Sequence, residues 1–314
     1  MKLGLDDYSY RIARGYHPIS RPTMTMAETC ERAAALGIDG VMIELRDQDL
    51  DQIPAAREAI DKHGFYVEAQ SGGTNPDHLR RRMESAKALG ASVMRTFIGG
   101  SRYDDDPPEV QLRGPTEELK QVAPIAQQFG IRIAVENHMD WRAEELLSVI
   151  REVDSEWIGV CLDTGNPLGM LEDPIAAIET LAPVTYTTHF KDFKLVPAQR
   201  GALVVGSALG EGSIDLRRVV DILRERAPDP NLNIEATLET VEVPLFREGF
   251  WRGYRDMTAE ALSPWLVYLC AGAADAHRDW RMPYEKGANE EELLATEHNL
   301  IARSVKYCRE VLGL

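Results

Sequence analysis

The chain has 314 residues, enough for one barrel-sized domain and too few for two large ones. Its 35 Lys and Arg against 51 Asp and Glu give a formal net charge of −16. This charge argues against a nucleic-acid-binding protein, because such proteins need a basic face to neutralise phosphates.

The sequence lacks patterns of export or disulfide formation. The first residues have no basic and apolar regions of a secretion signal, and no run approaches the roughly 18 apolar residues of a membrane span. The four cysteines, Cys30, Cys161, Cys270 and Cys308, show no paired spacing, so we expect buried free thiols. These features predict a soluble, cytoplasmic protein without a membrane partner.

Short apolar runs alternate with helical patterns along the first half of the chain. The predicted strands cover residues 2–10, 40–46, 65–70 and 92–98, and the predicted helices cover about 26–36, 50–63, 76–89 and 116–129. Thr25 followed by Glu28 is typical of a capping box at the first helix. The stretch 99–115 is expected to form a long loop on the active face.

Four further apolar runs follow, at residues 131–138, 158–166, 184–192 and 232–237. Each is rich in β-forming residues and is bounded by turn formers or helical sequence, as expected for a buried parallel strand. Each also carries one metal-type side chain at or near its C-terminal end. These side chains are Glu136, Asp163, His189 and Glu235.

The strand–loop–helix rhythm repeats about every 25–30 residues, which is the signature of parallel βα units. Eight predicted strands indicate an α/β fold, a (β/α)8 TIM barrel, with a doubly wound sheet as the alternative. After strand seven, the glycine-rich stretch 193–214 predicts an inserted hairpin over the barrel mouth. We expect one domain over 1–314, with a barrel core over 1–240 and an extended C-terminal helical segment over 241–314.

The extension is longer than the single helix that closes a barrel. Helical patterns lie near 258–277 and 289–312, and a loop-like part before them holds Phe246, Phe250, Trp251 and Tyr254. Two hypotheses stay open for these aromatic side chains. They pack under a closing helix, or they form a lid or a subunit contact.

The four strand-end side chains predict a metal centre. Active sites of (β/α)8 barrels lie at the C-terminal ends of the strands. Three carboxylates and one imidazole suit one divalent cation such as Mn²⁺, Mg²⁺, Co²⁺ or Zn²⁺. Such a centre favours removal of the proton between a carbonyl and a neighbouring hydroxyl. Glu136 and Glu235, which approach from different strands, are the candidate catalytic residues for proton transfer.

Alternation along a strand places further candidates beside these anchors. His138 shares the face of Glu136, and it is a third acid–base candidate or a structural histidine. Other charged and aromatic side chains are candidates for binding an anionic or polyhydroxy substrate, against the alternatives of structural ion pairs and core packing. They are Arg46, Arg95, Lys191 and Tyr8.

Five segments carry a resemblance to a known family. They are Val-Glu136-Asn-His138, Cys-Leu-Asp163-Thr-Gly-Asn166, Thr-His189-Phe-Lys191-Asp192, Gly-Glu-Gly212-Ser-Ile-Asp215 and Asn-Ile-Glu235. The chain resembles the xylose isomerase-like TIM barrels, the sugar phosphate isomerase/epimerase group, over about residues 1–237. That resemblance implies one divalent metal, with Mn²⁺ as first choice, held by Glu136, Asp163, His189 and Glu235. It also implies proton transfer by the two glutamates in epimerase-type members.

One position departs from the ketose 3-epimerases of this group. They carry a His three residues after the aspartate of strand six, where this chain has Asn166. The Glu-Asn-His segment and the long extension look more like members that act on oxidised sugars. Those are the 3-oxo-isoapionate decarboxylases and the metal-binding subunit of C-glycoside deglycosidases.

The leading hypothesis is therefore a metal-dependent sugar isomerase or epimerase of carbohydrate catabolism, which enolises a keto sugar. The alternative is a lyase with the same chemistry, either a 3-oxo sugar acid decarboxylase or a C-glycoside deglycosidase subunit. Two further alternatives are a DNA hydrolase and a barrel without catalysis. Apurinic-site endonucleases share the barrel, but they need more histidines and a less acidic chain. A metal-free binding barrel would take up no divalent ion. We expect a small carbohydrate substrate, no nucleic acid and a homo-oligomer, or a hetero-oligomer in the deglycosidase case.

Overall fold

The computed structural model describes residues 1–102 and 106–314. Its strands are β1 (Leu3–Asp6), β2 (Gly40–Glu44), β3 (Tyr66–Gln70), β4 (Val93–Phe97), β5 (Arg132–Glu136), β6 (Ile158–Asp163), β7 (Thr185–Phe190), β8 (Asp192–Ala198), β9 (Gly201–Ser207), β10 (Asn231–Ile234) and β11 (Thr240–Val243). Eight of them close into a parallel barrel in the order β1-β10-β7-β6-β5-β4-β3-β2. The predicted (β/α)8 barrel is confirmed.

The helices surround this barrel. They are α1 (Met26–Ala35), α2 (Ile53–His63), α3 (Pro76–Leu89), α4 (Pro108–Gln111), α5 (Arg113–Phe129), α6 (Ala143–Val153), α7 (Pro174–Leu181), α8 (Leu216–Arg226), α9 (Ala259–Ala271) and α10 (Glu290–Tyr307). The capping box predicted for α1 is present, since the Thr25 N–H donates to Glu28 Oε2 (2.7 Å) and the Glu28 N–H donates to Thr25 Oγ1 (3.2 Å). None of the helices in the described part of the chain is long and apolar enough to cross a membrane.

Seven of the eight predicted barrel strands extend past the observed ones at their C-terminal ends, and only strand three ends as predicted, at Gln70. Strand one was expected to reach residue 10, but β1 ends at Asp6. The Asp6 carboxylate accepts a hydrogen bond from the Tyr8 N–H (2.8 Å) and starts a 3₁₀ turn over Asp7–Tyr10. At the end of β6, Asp163 Oδ1 likewise accepts from the N–H groups of Gly165 and Asn166, both at 2.8 Å. Carboxylates thus turn the chain where the strands reach the mouth.

The predicted loop over 99–115 is partly helical. Helix α4 lies within it, and α5 begins at Arg113, ahead of the expected start near residue 116. Residues 103–105 of this loop lie outside the described residues.

The stretch after β7 forms a hairpin, as the glycine-rich sequence predicts. Strands β8 and β9 pair antiparallel, and β11 adds a third antiparallel strand to β9. The sequence analysis predicted no strand over residues 240–243. Because β11 follows β10 closely in sequence, it joins the hairpin sheet to the last barrel strand.

The extension packs on the barrel through α9 and α10. Glu297 on α10 is buried, and its carboxylate accepts from the N–H groups of Ile12 (2.6 Å) and Ala13 (3.2 Å). Of the aromatic side chains, Phe250 and Tyr254 are buried, whereas Phe246 and Trp251 are 76% and 41% exposed. The packing hypothesis therefore holds for two of the four.

The cysteines are free, as expected, but they are not all buried. Cys30, Cys161 and Cys308 lie in the interior, whereas Cys270 on α9 is exposed. The expectation of a buried thiol at position 270 was wrong, because most of α9 lies on the protein surface and only Trp265 of this helix is buried.

Candidate active site

Four neighbouring barrel strands bring the predicted metal-type residues together. Glu136 and Asp163 end β5 and β6, His189 lies on β7, and Glu235 directly follows β10. One potential ligand atom from each of the four lies within 4.8 Å of the others. All four side chains are buried, with at most 4% of the residue exposed. We call these four residues the mouth cluster.

Several atoms of the mouth cluster lack hydrogen-bond partners among the described residues. Asp163 Oδ2, Glu235 Oε2 and His189 Nδ1 are buried and form no hydrogen bond there, although they make ion-pair contacts with one another or with Lys191. His189 Nδ1 lies 2.9 Å from Glu235 Oε2 and 3.3 Å from Glu136 Oε1. Buried polar atoms normally find a partner, and a shared divalent cation would satisfy all of these at once. The donor set of oxygen atoms and one imidazole nitrogen fits such an ion.

A residue that the sequence analysis missed lies behind the imidazole. Asp6 Oδ2 is 3.3 Å from His189 Nε2, and Asp6 Oδ1 accepts from Gln70 Nε2 (2.5 Å). A carboxylate at the far nitrogen of a ligating histidine orients the ring and raises its basicity. The signal was present in the sequence, because Asp6 follows the first apolar run just as the cluster carboxylates follow theirs.

The loops after β5 and β6 hold the cluster carboxylates in place. Asn137 and Asp163 exchange two hydrogen bonds, from Asn137 Nδ2 to the Asp163 carbonyl (2.9 Å) and from the Asp163 N–H to Asn137 Oδ1 (2.7 Å). Asn166 Nδ2 donates to Glu136 Oε1 (3.0 Å). The side chain that replaces the epimerase histidine therefore bonds to the cluster, which restricts its reach into the cavity.

Arg95 binds the other oxygen of Glu136. Both Nε (2.6 Å) and Nη2 of Arg95 donate to Glu136 Oε2, while Nη1 donates to the Ser71 carbonyl (2.9 Å). Burial raises the pKa of Glu136, but Arg95 and His189 outweigh burial and hold this pKa well below its usual range. Glu136 is therefore fixed as a carboxylate with donors on both oxygens.

Lys191 lies between the carboxylates at the outer edge of the cluster. Its Nζ is 3.0 Å from Glu235 Oε1 and 3.1 Å from Asp163 Oδ2. Burial raises the pKa of Glu235, but Lys191 and His189 outweigh burial and bring it to about 2. Burial is the largest effect on Asp163 as well, and there it prevails and raises the pKa to about 6. The cluster thus places carboxylates of unequal basicity side by side.

A cavity of about 500 Å³ opens above the mouth cluster. Such a volume is within the range of small-molecule sites. The side chains around it are Tyr8, Glu44, Gln70, Ser71, Arg95, Phe97, Glu136, His138, Met139, Asn166, His189, Lys191, Glu235, Glu239 and Val241. His138 bonds through Nδ1 to Asp140 Oδ2 (2.7 Å) and is 41% exposed, so it belongs to the wall of the cavity and not to the core.

Comparisons with known proteins agree with this geometry. Residues 30–250 match the model of a family described as xylose isomerase-like TIM barrel. The chain belongs to this family. The family likeness covers the barrel from α1 to the hairpin sheet and includes all four cluster residues.

Within the family, the chain is similar to the 3-oxo-isoapionate decarboxylase of Pectobacterium atrosepticum, at 26% identity over 75% of this chain and 85% of the relative. Among solved structures, a D-psicose 3-epimerase crystallised with D-fructose matches with a TM-score of 0.63 and 16% identity, over 100% of both chains. The IolI protein with a bound zinc atom matches with a TM-score of 0.60 and 17% identity, over 89% of this chain and 100% of that one. The likeness to these two structures shows the shared fold.

The predicted substrate residues divide into two groups. Tyr8, Arg95 and Lys191 line the cavity, but Arg46 does not. Arg46 Nε donates to Asp49 Oδ2 (2.6 Å), and its guanidinium lies 4.3 Å from the centre of the Tyr16 ring. The predicted strand two extended to residue 46, but β2 ends at Glu44, so the alternation of side chains along the strand does not reach Arg46. The structure therefore does not support a substrate contact for Arg46.

Proposed function

We propose that this family member is a divalent-metal-dependent enzyme that enolises a sugar-derived ketone. The observation that carries the proposal is the mouth cluster, with four buried ligand groups and several of their atoms without a hydrogen-bond partner in the described structure. Glu136, Asp163, His189 and Glu235 would hold the ion. When bound, a divalent cation would stabilise the negative charge that develops on the substrate's carbonyl oxygen.

The two glutamates are not equivalent in this proposal. Both oxygens of Glu136 accept hydrogen bonds, from Arg95 and from Asn166, so Glu136 has little capacity to take a proton. Glu235 contacts Lys191 through Oε1 and lines the cavity. We assign proton transfer to Glu235, with His138 as a second acid–base group at the wall. A single glutamate free to take a proton favours isomerisation over an epimerisation that uses a glutamate on each face of the substrate.

Decarboxylation of a 3-oxo sugar acid is the second candidate. Loss of CO₂ from a β-keto acid makes the enolate without a base, which suits a site whose glutamates are held as carboxylates. The enolate then takes up one proton, which His138 at the cavity wall would donate. The similarity to a 3-oxo-isoapionate decarboxylase also favours this reaction. Both cavity cations are paired with carboxylates. We assign the substrate carboxylate to Lys191, because Arg95 already donates hydrogen bonds through Nε, Nη1 and Nη2, whereas Lys191 is held by ion pairs with Glu235 and Asp163.

Protein loaded with Mn²⁺ tests these candidates directly. A ketose in D₂O should gain deuterium at the carbon beside its carbonyl if the enzyme is an isomerase, as followed by ¹H NMR. A 3-oxo sugar acid with a ¹³C-labelled carboxyl group should release labelled CO₂ if the enzyme is a lyase. Absence of both reactions in protein with bound metal would overturn the proposal. The homo-oligomer, and the hetero-oligomer of the deglycosidase case, stay predictions.

A further inference from the structure

Glu44 ends β2 on the cavity wall, directly across the barrel from β6. Its N–H donates to Asp7 Oδ1 (3.1 Å), which ties the end of β2 to the loop after β1. Its carboxylate, by contrast, forms no hydrogen bond or ion pair with any residue that the structure describes. This carboxylate therefore faces the cavity without a hydrogen-bonded or ion-paired partner among the described residues, and Arg95, Arg46 and Arg82 act on it only at longer range.

The other charged side chains around the cavity are all paired. The pairs are Arg95 with Glu136, Lys191 with Glu235, Glu239 with Arg11, His138 with Asp140, and His189 with its cluster neighbours. Burial raises the pKa of Glu44, and the nearby positive charges of Arg95, Arg46 and Arg82 offset only part of this rise, so part of the cost of burying its charge remains. A ligand that supplies a hydrogen-bond donor would remove this cost.

Tyr8, in the loop after the neighbouring strand β1, has a hydroxyl group that is also without a hydrogen-bond partner in the described structure. Its ring packs 5.2 Å from the Tyr16 ring and under the Arg11 guanidinium at 5.4 Å. We call Glu44 and Tyr8 together the β1–β2 wall. Both residues line the cavity, and one strong acceptor and one hydroxyl suit the hydroxyl groups of a polyol.

We propose that the β1–β2 wall binds the hydroxyl end of a neutral polyol chain, with Glu44 as the acceptor that selects it. This inference rests on the proposed function, because the mouth cluster must hold the carbonyl end of the same molecule. A carboxylate placed against the wall would meet the negative charge of Glu44. The acid group of a sugar acid substrate therefore lies on the side of Lys191 and away from β2.

Two probes that differ at one end of the molecule test this selection. D-Fructose and D-fructuronate share the carbonyl end and differ in a terminal CH₂OH or carboxylate. Calorimetry with Mn²⁺-loaded protein should show D-fructose bound about tenfold more tightly. Glu44→Gln should weaken D-fructose binding about tenfold and reduce the preference for D-fructose over D-fructuronate. Glu44→Asp should keep part of this preference. Glu31→Gln, an exposed glutamate on α1 paired with Lys62, is the matched control and should change neither affinity.

The Mn²⁺ content of each variant separates the possible failures. Glu44→Gln that keeps wild-type affinity for D-fructose and wild-type preference overturns the assignment of Glu44. Wild-type protein that holds Mn²⁺ but binds neither probe overturns the polyol class. Wild-type protein that takes up no Mn²⁺ overturns the proposed function, and this inference with it.

Discussion

Two buried carboxylate sites lie one above the other in the same barrel. The lower site surrounds Glu68 on β3, and we call it the Glu68 network. Its Oε1 accepts from Asn231 Nδ2 (2.8 Å), and its Oε2 accepts from Asn233 Nδ2 (2.8 Å) and from the Thr187 hydroxyl. The mouth cluster instead keeps buried oxygen and nitrogen atoms without such partners in the described structure. The two sites are equally buried, but the Glu68 carboxylate is satisfied by hydrogen bonds and part of the mouth cluster is not.

The same two strands build both sites. Thr187 and His189 lie two residues apart on β7, and Asn233 and Glu235 lie two residues apart at the end of β10. Because side chains alternate along a strand, these pairs point into the barrel at successive levels. At the lower level, the neutral side chains of Thr187 and Asn233 satisfy the carboxylate of Glu68. At the upper level, the ionisable side chains of His189 and Glu235 keep polar atoms that a ligand could bind. The comparison separates a structural site from a functional one.

Glu235→Gln should have the largest effect, because it removes a charged ligand and the assigned base from the open site. We expect loss of bound Mn²⁺ and a fall in turnover of about 1,000-fold or more. Elemental analysis and the NMR assay measure the two effects. Full turnover in this variant would contradict the role of the mouth cluster.

Glu68→Ala should affect stability and leave the metal site intact. It leaves the buried Thr187 hydroxyl without its acceptor and removes one acceptor each from Asn231 and Asn233, so we expect a loss of about 3 kcal/mol in the free energy of unfolding. Urea unfolding measures this loss. The folded variant should take up Mn²⁺ as the wild type does, and failure to do so would show that the two levels are not independent.

Added Mn²⁺ should stabilise the protein through the mouth cluster. At a concentration of 100 times Kd, the free energy of unfolding should rise by about 2.7 kcal/mol. Differential scanning calorimetry should show this gain in the wild type and in Glu68→Ala, but not in Glu235→Gln. An equal gain in Glu235→Gln would mean that the ion binds elsewhere.

Arg95→Met should make metal binding depend on pH. Arg95 and His189 hold the pKa of Glu136 well below its usual range, so the carboxylate is charged and available throughout the neutral and mildly acidic range. Without the guanidinium, burial raises this pKa and protons compete with the ion. We expect Mn²⁺ affinity to fall about tenfold at pH 5 and less at pH 8. Titrations at both pH values measure this, and equal losses would exclude the electrostatic explanation.

The residues of the mouth cluster were predictable because each one stands at the end of an apolar run. The barrel then brings the ends of its strands to one face, so the sequence positions alone imply proximity. His138 and Lys191 were predicted from the alternation of side chains along a strand, and both line the cavity. The metal-ligand and catalytic roles of these residues stay predictions.

Other features depend on contacts that local pattern does not contain. The pairing of β11 with β9 joins residues 202–205 to residues 240–243, and the four-residue strand carries little signal of its own. Arg46 lies past the strand end, where alternation no longer applies. The Glu68 network was missed, although a glutamate within a short β-rich run already indicated a buried partner. Only the folded structure shows which donors satisfy it.

Strand β11 has a consequence for the design of shortened proteins. A fragment cut at residue 240, the end of the predicted barrel core, would retain every barrel strand. It would still lose the strand that anchors the chain just beyond Glu235, and with it the Glu297 carboxylate that holds Ile12 and Ala13. The C-terminal quarter therefore stabilises the chain segments after β1 and β10 at the barrel mouth. Fragments for crystallisation or display should be shortened elsewhere.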